Sequence, residues 1–289
     1  MQGDLNRQVN NGSGSDYCGR IAPTPSGFLH LGHARTFWVA QCRAQTREGR
    51  IVLRIEDLDP NRSRPEFIAA AEEDLAWFGI RWDEGPCFQR DRTDRYRVAL
   101  ERLIDAGRVY RCYCSRKDIQ SAVQAPHVSD EGPLYPGTCR GHVGREKDRN
   151  HSRRPCWRFS VDKLPRVSFV DACCGQRDFG CGVDFGDFVV WRQDDVPAYQ
   201  LAAVVDDHEM GVTEVVRGED LLLSTARQIL LYDALGWELP EFFHCPLLTD
   251  ESGARLSKRS DSMSLRDYRA RGWSPEALRA ELDWSGLLE

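Results

Sequence analysis

The chain has 289 residues, 41% of them hydrophobic and 29% charged. That is the composition of a soluble globular protein with a substantial core, and no apolar run is long enough to span a membrane. A formal charge of −6 excludes a uniformly basic nucleic-acid coat, so contacts with RNA would rest on local clusters.

Residues 1–15 are rich in Asn, Gly and Ser and read as a disordered leader, without the apolar core of an export signal. Residues 17–22 read as a short strand feeding a Pro/Gly turn. A helix follows from Gly32, with Ala34, Phe37, Trp38 and Cys42 on one face and Gly49 as its stop. Residues 51–55 are β-rich and read as the next strand. This strand–helix–strand unit predicts a parallel sheet with a right-handed crossover. Glu56, Asp57 and Asp59 follow at the strand's carboxyl end, where ligands bind in such sheets. Ser63 with Glu66 spells a capping box for a helix burying Phe67, Ile68, Ala71, Leu75 and Phe78, with Gly79 after it. A further helix covers 91–106, with Tyr96, Leu100, Leu103 and Ile104 inward and Gly107 closing it.

From 110 to 194 the alternation stops. Cysteines, loops, a basic run and short β-like segments suggest a domain inserted into the first. Residues 198–205 and 213–216 then read as buried strands. Ser224 caps a helix through Ala234, and Leu247 and Leu248 lead into a polar loop. Ser274-Pro275-Glu276 starts one of the short C-terminal helices.

Two segments carry the chemistry. In Arg20-Ile-Ala-Pro-Thr-Pro-Ser-Gly-Phe-Leu-His-Leu-Gly-His33, His30 and His33 share one face of a helix start. Gly32 between them admits close approach of a ligand, and the helix N-terminus favours phosphate. In Arg255-Leu-Ser-Lys258-Arg259 a lysine in a polar loop can close on a triphosphate.

Eleven cysteines without an export signal point to a reducing cytoplasm and to metal ligation rather than a disulfide framework. Cys112 and Cys114 can reach one ion from a turn, and Cys139 supplies a third sulfur. Chemistry alone favours His142 as fourth ligand, with His127 and Tyr135 as alternatives. Cys173, Cys174 and Cys181 read as packing residues. Residues 140–158 hold seven Lys or Arg, two acids and Trp157, a candidate RNA-facing cluster or an ordinary solvated face.

Together, in this order, the His30-Leu-Gly-His33 and Arg255-Leu-Ser-Lys258-Arg259 segments resemble the paired signatures of class I aminoacyl-tRNA synthetases. The second departs from the consensus at its first, second and last positions, as the glutamyl branch commonly does. Arg54-Ile-Glu-Asp-Leu-Asp59, Gly79-Ile-Arg-Trp-Asp-Glu-Gly-Pro86, Tyr199-Gln-Leu-Ala202, Val204-Val-Asp-Asp-His208 and Arg217-Gly-Glu-Asp220 extend the resemblance over 20–259. Asp194-Asp195-Val196 stands where that branch usually turns a hairpin with Gly. The short chain after Arg259 and the Tyr135-x-x-x-Cys139 spacing resemble the glutamyl-queuosine tRNA(Asp) synthetases.

The resemblance implies an α/β fold. This is a Rossmann-like class I synthetase catalytic domain (16–109 and 195–250) with an inserted zinc-containing domain (110–194). The Lys258 loop and a short helical C-terminal segment occupy 251–289. It implies activation of L-glutamate by ATP with Mg²⁺ and transfer to queuosine of tRNA(Asp), by a monomer. His30, His33 and Lys258 would be catalytic, and Gly32, Leu256 and Ser257 would also bind ATP. Arg20, Ile21, Ala22, Pro23, Thr24, Glu56, Tyr199 and Arg217 would bind glutamate, Glu56 through its ammonium and Arg217 bidentately through its side-chain carboxylate. Tyr135 would complete one structural Zn²⁺ site. A chain of this length has a radius of gyration of roughly 19 Å, so it would engage one end of a tRNA at a time. A truncated tRNA(Glu)-charging enzyme and a non-catalytic zinc and RNA-binding relative are the alternatives.

Overall fold

The structure is a computed structural model that describes residues 17–115, 117–119, 134–141, 154–248, 263–282 and 284–288. The expected leader lies outside the described residues.

The chain opens with β1 (Cys18–Ile21), α1 (Leu31–Thr46) and β2 (Arg50–Ile55). Gly49 is needed between the last two, because a Cβ there would meet Tyr17 at 2.5 Å. Helix α2 (Pro65–Phe78) follows, then strand β3 (Glu84–Phe88) and, after one 3₁₀ turn, α3 (Thr93–Asp105). Strands β4 (Val109–Cys112), β5 (Cys156–Phe159), β6 (Val167–Asp171), β7 (Gly175–Phe179) and β8 (Phe188–Trp191) come next. Helix α4 (Tyr199–Glu209), β9 (Glu214–Gly218), α5 (Leu222–Leu235), β10 (Glu241–Cys245), α6 (Leu265–Ala270) and α7 (Pro275–Ala280) complete the described elements. No helix of the described residues is long and apolar enough to cross a membrane.

Strands β1, β2 and β3 run parallel in that order, and β9 pairs parallel with β10. The two groups meet where Thr213 N donates to Cys18 O at 2.9 Å. Arg20 Nη1 reaches Val216 O further along the same pair. The spatial order is therefore β3-β2-β1-β9-β10, with the switch of direction between β1 and β9, as in a Rossmann-type sheet. Buried Glu214 locks this seam, accepting from Tyr17 Oη at 2.6 Å and from both nitrogens of the Arg43 fork. Strands β4, β5 and β8 form a separate antiparallel sheet, and β6–β7 is a hairpin. That hairpin is keyed to β10 by Ala172 N donating to Phe242 O. One apolar cluster joins Cys18 and Val52 to Phe159, Phe188, Leu201 and Val215, so parallel and antiparallel parts share a core.

Several local expectations are corrected. Residues 198–205 are not a strand. Leu201 to Asp207 are buried without a break inside α4, and burial all round erases the helical period that would have identified it. The Ser63–Glu66 capping box does not form. Helix α2 starts at Pro65 after Arg64, with no side-chain cap, since Pro at the first position needs no N–H partner. Ser224 does not cap α5 but lies buried within it, accepting from Gln200 Nε2 at 2.9 Å. Strands β3 and β10 carry no clear alternation and escaped the sequence reading. The Asp194-Asp195-Val196 turn closes without glycine. Asp195 adopts φ 63° and accepts from Trp191 Nε1, a left-handed position that Asp tolerates better than most residues. The Ser274 cap does form, accepting from Ala277 N.

Candidate functional site

At the switch point between β1 and β9 the sheet opens into a cleft of about 400 Å³. The carboxyl ends of β1, β2 and β9, the start of α4 and the N-terminus of α1 converge on it. Arg20, Ala22, Pro23, Thr24, Glu56, Tyr199 and Arg217 all reach its wall, and so do His30, Gly32 and His33. Ile21 does not line the cleft: as the last residue of β1 it points into the apolar core. Asp57 and Asp59 also stay outside the lining, accepting from Arg90 N and Asn61 N respectively. Leu256, Ser257 and Lys258 lie outside the described residues. The chain on either side of them touches the site, with Leu248 in the cleft wall and Ser264 bridged to His30.

His30 is the N-cap of α1. Gly32 N donates to its Nδ1 at 3.2 Å, and His30 N donates to Nδ1 of His33 at 3.3 Å. Two of the N–H groups anticipated for a phosphate are thus taken by the imidazoles. In exchange, both rings accept at Nδ1, which puts the proton of each neutral ring on Nε2 as a donor. The ring centroids are 3.7 Å apart, so two cations here would repel.

Arg217 is buried at the end of β9. Its Nε–H donates to His244 Nε2 at 3.1 Å and Nη1 to Tyr199 Oη at 3.2 Å. Nη2 donates to Thr225 Oγ1 at 2.6 Å and to Gln228 Oε1 at 2.8 Å. Among the described residues no carboxylate pairs with it. Neighbouring Glu219 instead accepts from Leu247 N. Four of its five N–H groups have partners within the protein, leaving one on Nη1. Tyr199 Oη accepts from Nη1, which frees its own O–H to donate. Burial raises the Tyr199 pKa, keeping it a phenol. Nη1–H and Tyr199 O–H together make a neighbouring pair of donors.

Arg20, Arg54 and Arg217 face Asp207 and Glu56. Arg54 donates to Asp207 at 2.6 Å and to Glu56 at 3.1 Å, and Thr24 Oγ1 reaches Glu56 at 3.3 Å. Burial raises the Glu56 pKa while Arg54 and Arg20 pull it back. Asp207 is held low despite burial, by Arg54 and Arg20. Asp206 adds a third carboxylate 3.9 Å from Arg54, and Arg35 and Asp220 also line the cleft.

A second site lies in the antiparallel part. The sulfurs of Cys112, Cys114 and Cys139 lie within 4.8 Å of one another, those of Cys114 and Cys139 at 3.6 Å. Tyr135 Oη sits 3.3 Å from Cys112 Sγ and 3.7 Å from Cys114 Sγ, and Cys139 N donates to it at 2.9 Å. The structure therefore brings the four expected donors together, and the set could hold a metal ion. His127 and His142 lie outside the described residues. Arg158 stacks 4.1 Å over the Tyr135 ring, a cation suited to offset surplus thiolate charge. Cys173 packs in a small apolar cluster and Cys174 donates to His244 O, in keeping with packing roles.

Two cations of the basic run are committed to structure. Arg140 pairs with Asp187 and Asp162, and Arg158 donates to Asp187 O. Residues 142–153 of that run lie outside the described residues.

The sequence reading missed His244, Asp171, Thr225, Gln228 and Asp207, which surround Arg217 and Arg20. The available signal was a lone polar residue in an apolar strand, as His244 is in Phe242-Phe243-His244-Cys245.

The family model for class I tRNA synthetases (E and Q), catalytic domain, matches residues 18–288. The glutamyl-Q tRNA(Asp) synthetase of Symbiobacterium thermophilum is 48% identical, over 94% of this chain and 87% of its own length. The glutamate–tRNA ligase 2 of Halorhodospira halophila is 43% identical, over 92% of this chain but 57% of its own. The glutamate tRNA ligase of Elizabethkingia meningosepticum, solved in complex with its amino acid, superposes with a TM-score of 0.79 at 28% identity. That match covers 93% of this chain, which spans about 61% of that structure's length. The chain belongs to the class I family of glutamyl- and glutaminyl-tRNA synthetases.

Proposed function

We propose that the chain activates L-glutamate with ATP and Mg²⁺ and transfers the glutamyl group to queuosine of tRNA(Asp). The observation that carries the amino-acid choice is buried Arg217, whose partners among the described residues are all neutral. A buried guanidinium without a counter-ion is costly, and a ligand carboxylate would relieve that cost. The side-chain carboxylate of glutamate would accept from Arg217 Nη1–H and Tyr199 O–H. Glu56 would take the ammonium, beside Thr24 and Arg20.

The α-carboxylate would then attack the α-phosphorus of ATP, forming a C–O–P link as the bond to pyrophosphate breaks. This requires no protein nucleophile, only positioning and stabilisation of phosphate charge. His30 and His33 would turn Nε2–H donors toward phosphate oxygens at the start of α1, with Gly32 allowing close approach. Lys258, with Leu256 and Ser257, would meet the departing pyrophosphate. Mg²⁺ would be held mainly by phosphates and water. The RNA target rests on the Symbiobacterium relative, which this chain matches over most of both lengths.

Glutamate-dependent ATP–pyrophosphate exchange tests the reading. Glutamate should support exchange and glutamine should not, and aspartate should be slower by roughly 10- to 200-fold for the missing methylene alone. Equal exchange with glutamine would overturn the assignment.

Cys112, Cys114, Tyr135 and Cys139 would hold one structural Zn²⁺. With Zn–S near 2.3 Å, donors at tetrahedral corners stand roughly 3.8 Å apart, close to the 3.6 Å and 3.7 Å separations seen here. Metal analysis of protein purified without chelator should find one zinc per chain, and zinc-free protein of full activity would remove the ion from the account.

A further inference from the structure

Arg217 does not hold its own position. Its Nε–H is fixed by His244, which is fully buried on β10, and His244 Nδ1 lies 2.5 Å from Asp171 Oδ2 at the end of β6. Two groups meet His244 Nε2, the Arg217 Nε–H at 3.1 Å and Thr225 Oγ1 at 2.9 Å. An arginine Nε–H can only donate, so pairing it requires Nε2 to accept, and the Thr225 hydroxyl can turn to suit. The ring proton is then on Nδ1 and is given to Asp171. Oδ1 of Asp171 is meanwhile occupied by three backbone N–H groups, from Cys173, Cys174 and His244, at 3.0, 2.7 and 3.2 Å. The carboxylate is saturated by donors and has no freedom to turn.

We infer that Asp171 and His244 are positioning residues for amino-acid selection: Asp171 fixes the His244 tautomer, and His244 orients the Arg217 guanidinium so that its one uncommitted N–H faces the ligand carboxylate. The inference rests on the glutamate reading above. It also gives the β6–β7 hairpin, which lies outside the parallel sheet, a part in choosing the amino acid. The electrostatics agree with a neutral ring. Burial and the neighbouring Arg217 and Arg20 charges lower the His244 pKa against the pull of Asp171.

Asp171→Asn tests this with almost no change of shape. The three backbone N–H groups hold the amide oxygen at the Oδ1 position, so the new NH₂ faces His244 Nδ1. The ring must then carry its proton on Nε2, pointing at the Arg217 Nε–H donor. KM for glutamate should rise by roughly 10- to 100-fold, the worth of a hydrogen bond to a charged group, and preference over glutamine should fall by a similar factor. KM for ATP should stay within about threefold. His244→Leu should give the same pattern. His244→Gln, whose amide oxygen can replace Nε2 as acceptor, should recover about tenfold of what Leu loses.

An unchanged glutamate KM and glutamine preference in Asp171→Asn would overturn the inference while leaving glutamate activation standing. Parallel rises in both KM values, or equal losses in the Gln and Leu variants, would reduce the pair to a structural role and also overturn it. Should Asp171→Asn fail to fold, the Gln–Leu comparison decides alone. Wild-type protein that fails to activate glutamate would remove both the reading and the inference.

Discussion

Arg217→Gln is expected to lower kcat/KM for glutamate in pyrophosphate exchange by about 10²- to 10³-fold, equivalent to roughly 3–4 kcal/mol. The size follows from the environment. On the proposed reading, a ligand carboxylate meets a buried guanidinium whose direct hydrogen-bond partners among the described residues are all neutral. Glutamine at this position offers one neutral amide in place of a charged donor and leaves the ligand carboxylate buried without its partner. Tyr199 alone would then serve it. Exchange at saturating glutamate should be less affected than exchange at low glutamate, and KM for ATP should not move. A loss below fivefold would mean that the carboxylate is recognised elsewhere.

Lys258→Ala is expected to slow exchange by about 10²- to 10³-fold, the usual cost of removing one charged donor from a developing phosphate charge. Here kcat should fall at saturating glutamate and ATP, because the pyrophosphate charge matures in the transition state. The flanks of its segment are anchored at the cleft, through Leu248 and through the bridge between Ser264 and His30. The two variants therefore separate recognition from chemistry. An unchanged exchange rate in Lys258→Ala would remove that lysine from the mechanism.

What the sequence disclosed follows from how local each signal is. β1, α1 and β2 were legible because turn residues, period and spacing agree over a short stretch. The cysteine cluster was legible for the same reason: Cys112 ends β4 with Cys114 two residues on, and Tyr135 and Cys139 lie four apart. Helix α4 was misread because it is buried on every side, which leaves composition without period. The capping-box pattern at Ser63 and Glu66 was outcompeted by Pro65. Arg217 was reached by resemblance, but its supports were not, since His244 and Asp171 lie 27 and 73 positions from their partners. The lone polar residue in Phe242-Phe243-His244-Cys245 marks His244 but not its partners. The logic of this relay appears only when donors and acceptors around one guanidinium are counted.

The most direct test of the central claim is to find the nucleotide that accepts glutamate. Total tRNA from cells with and without queuosine would be incubated with the protein, ATP and labelled glutamate, digested with nuclease and resolved. The account predicts label on queuosine from tRNA(Asp), and none on queuosine-free RNA. Label on a terminal adenosine of tRNA(Glu), equal with or without queuosine, would contradict it and make this chain a tRNA-charging enzyme like its Halorhodospira relative.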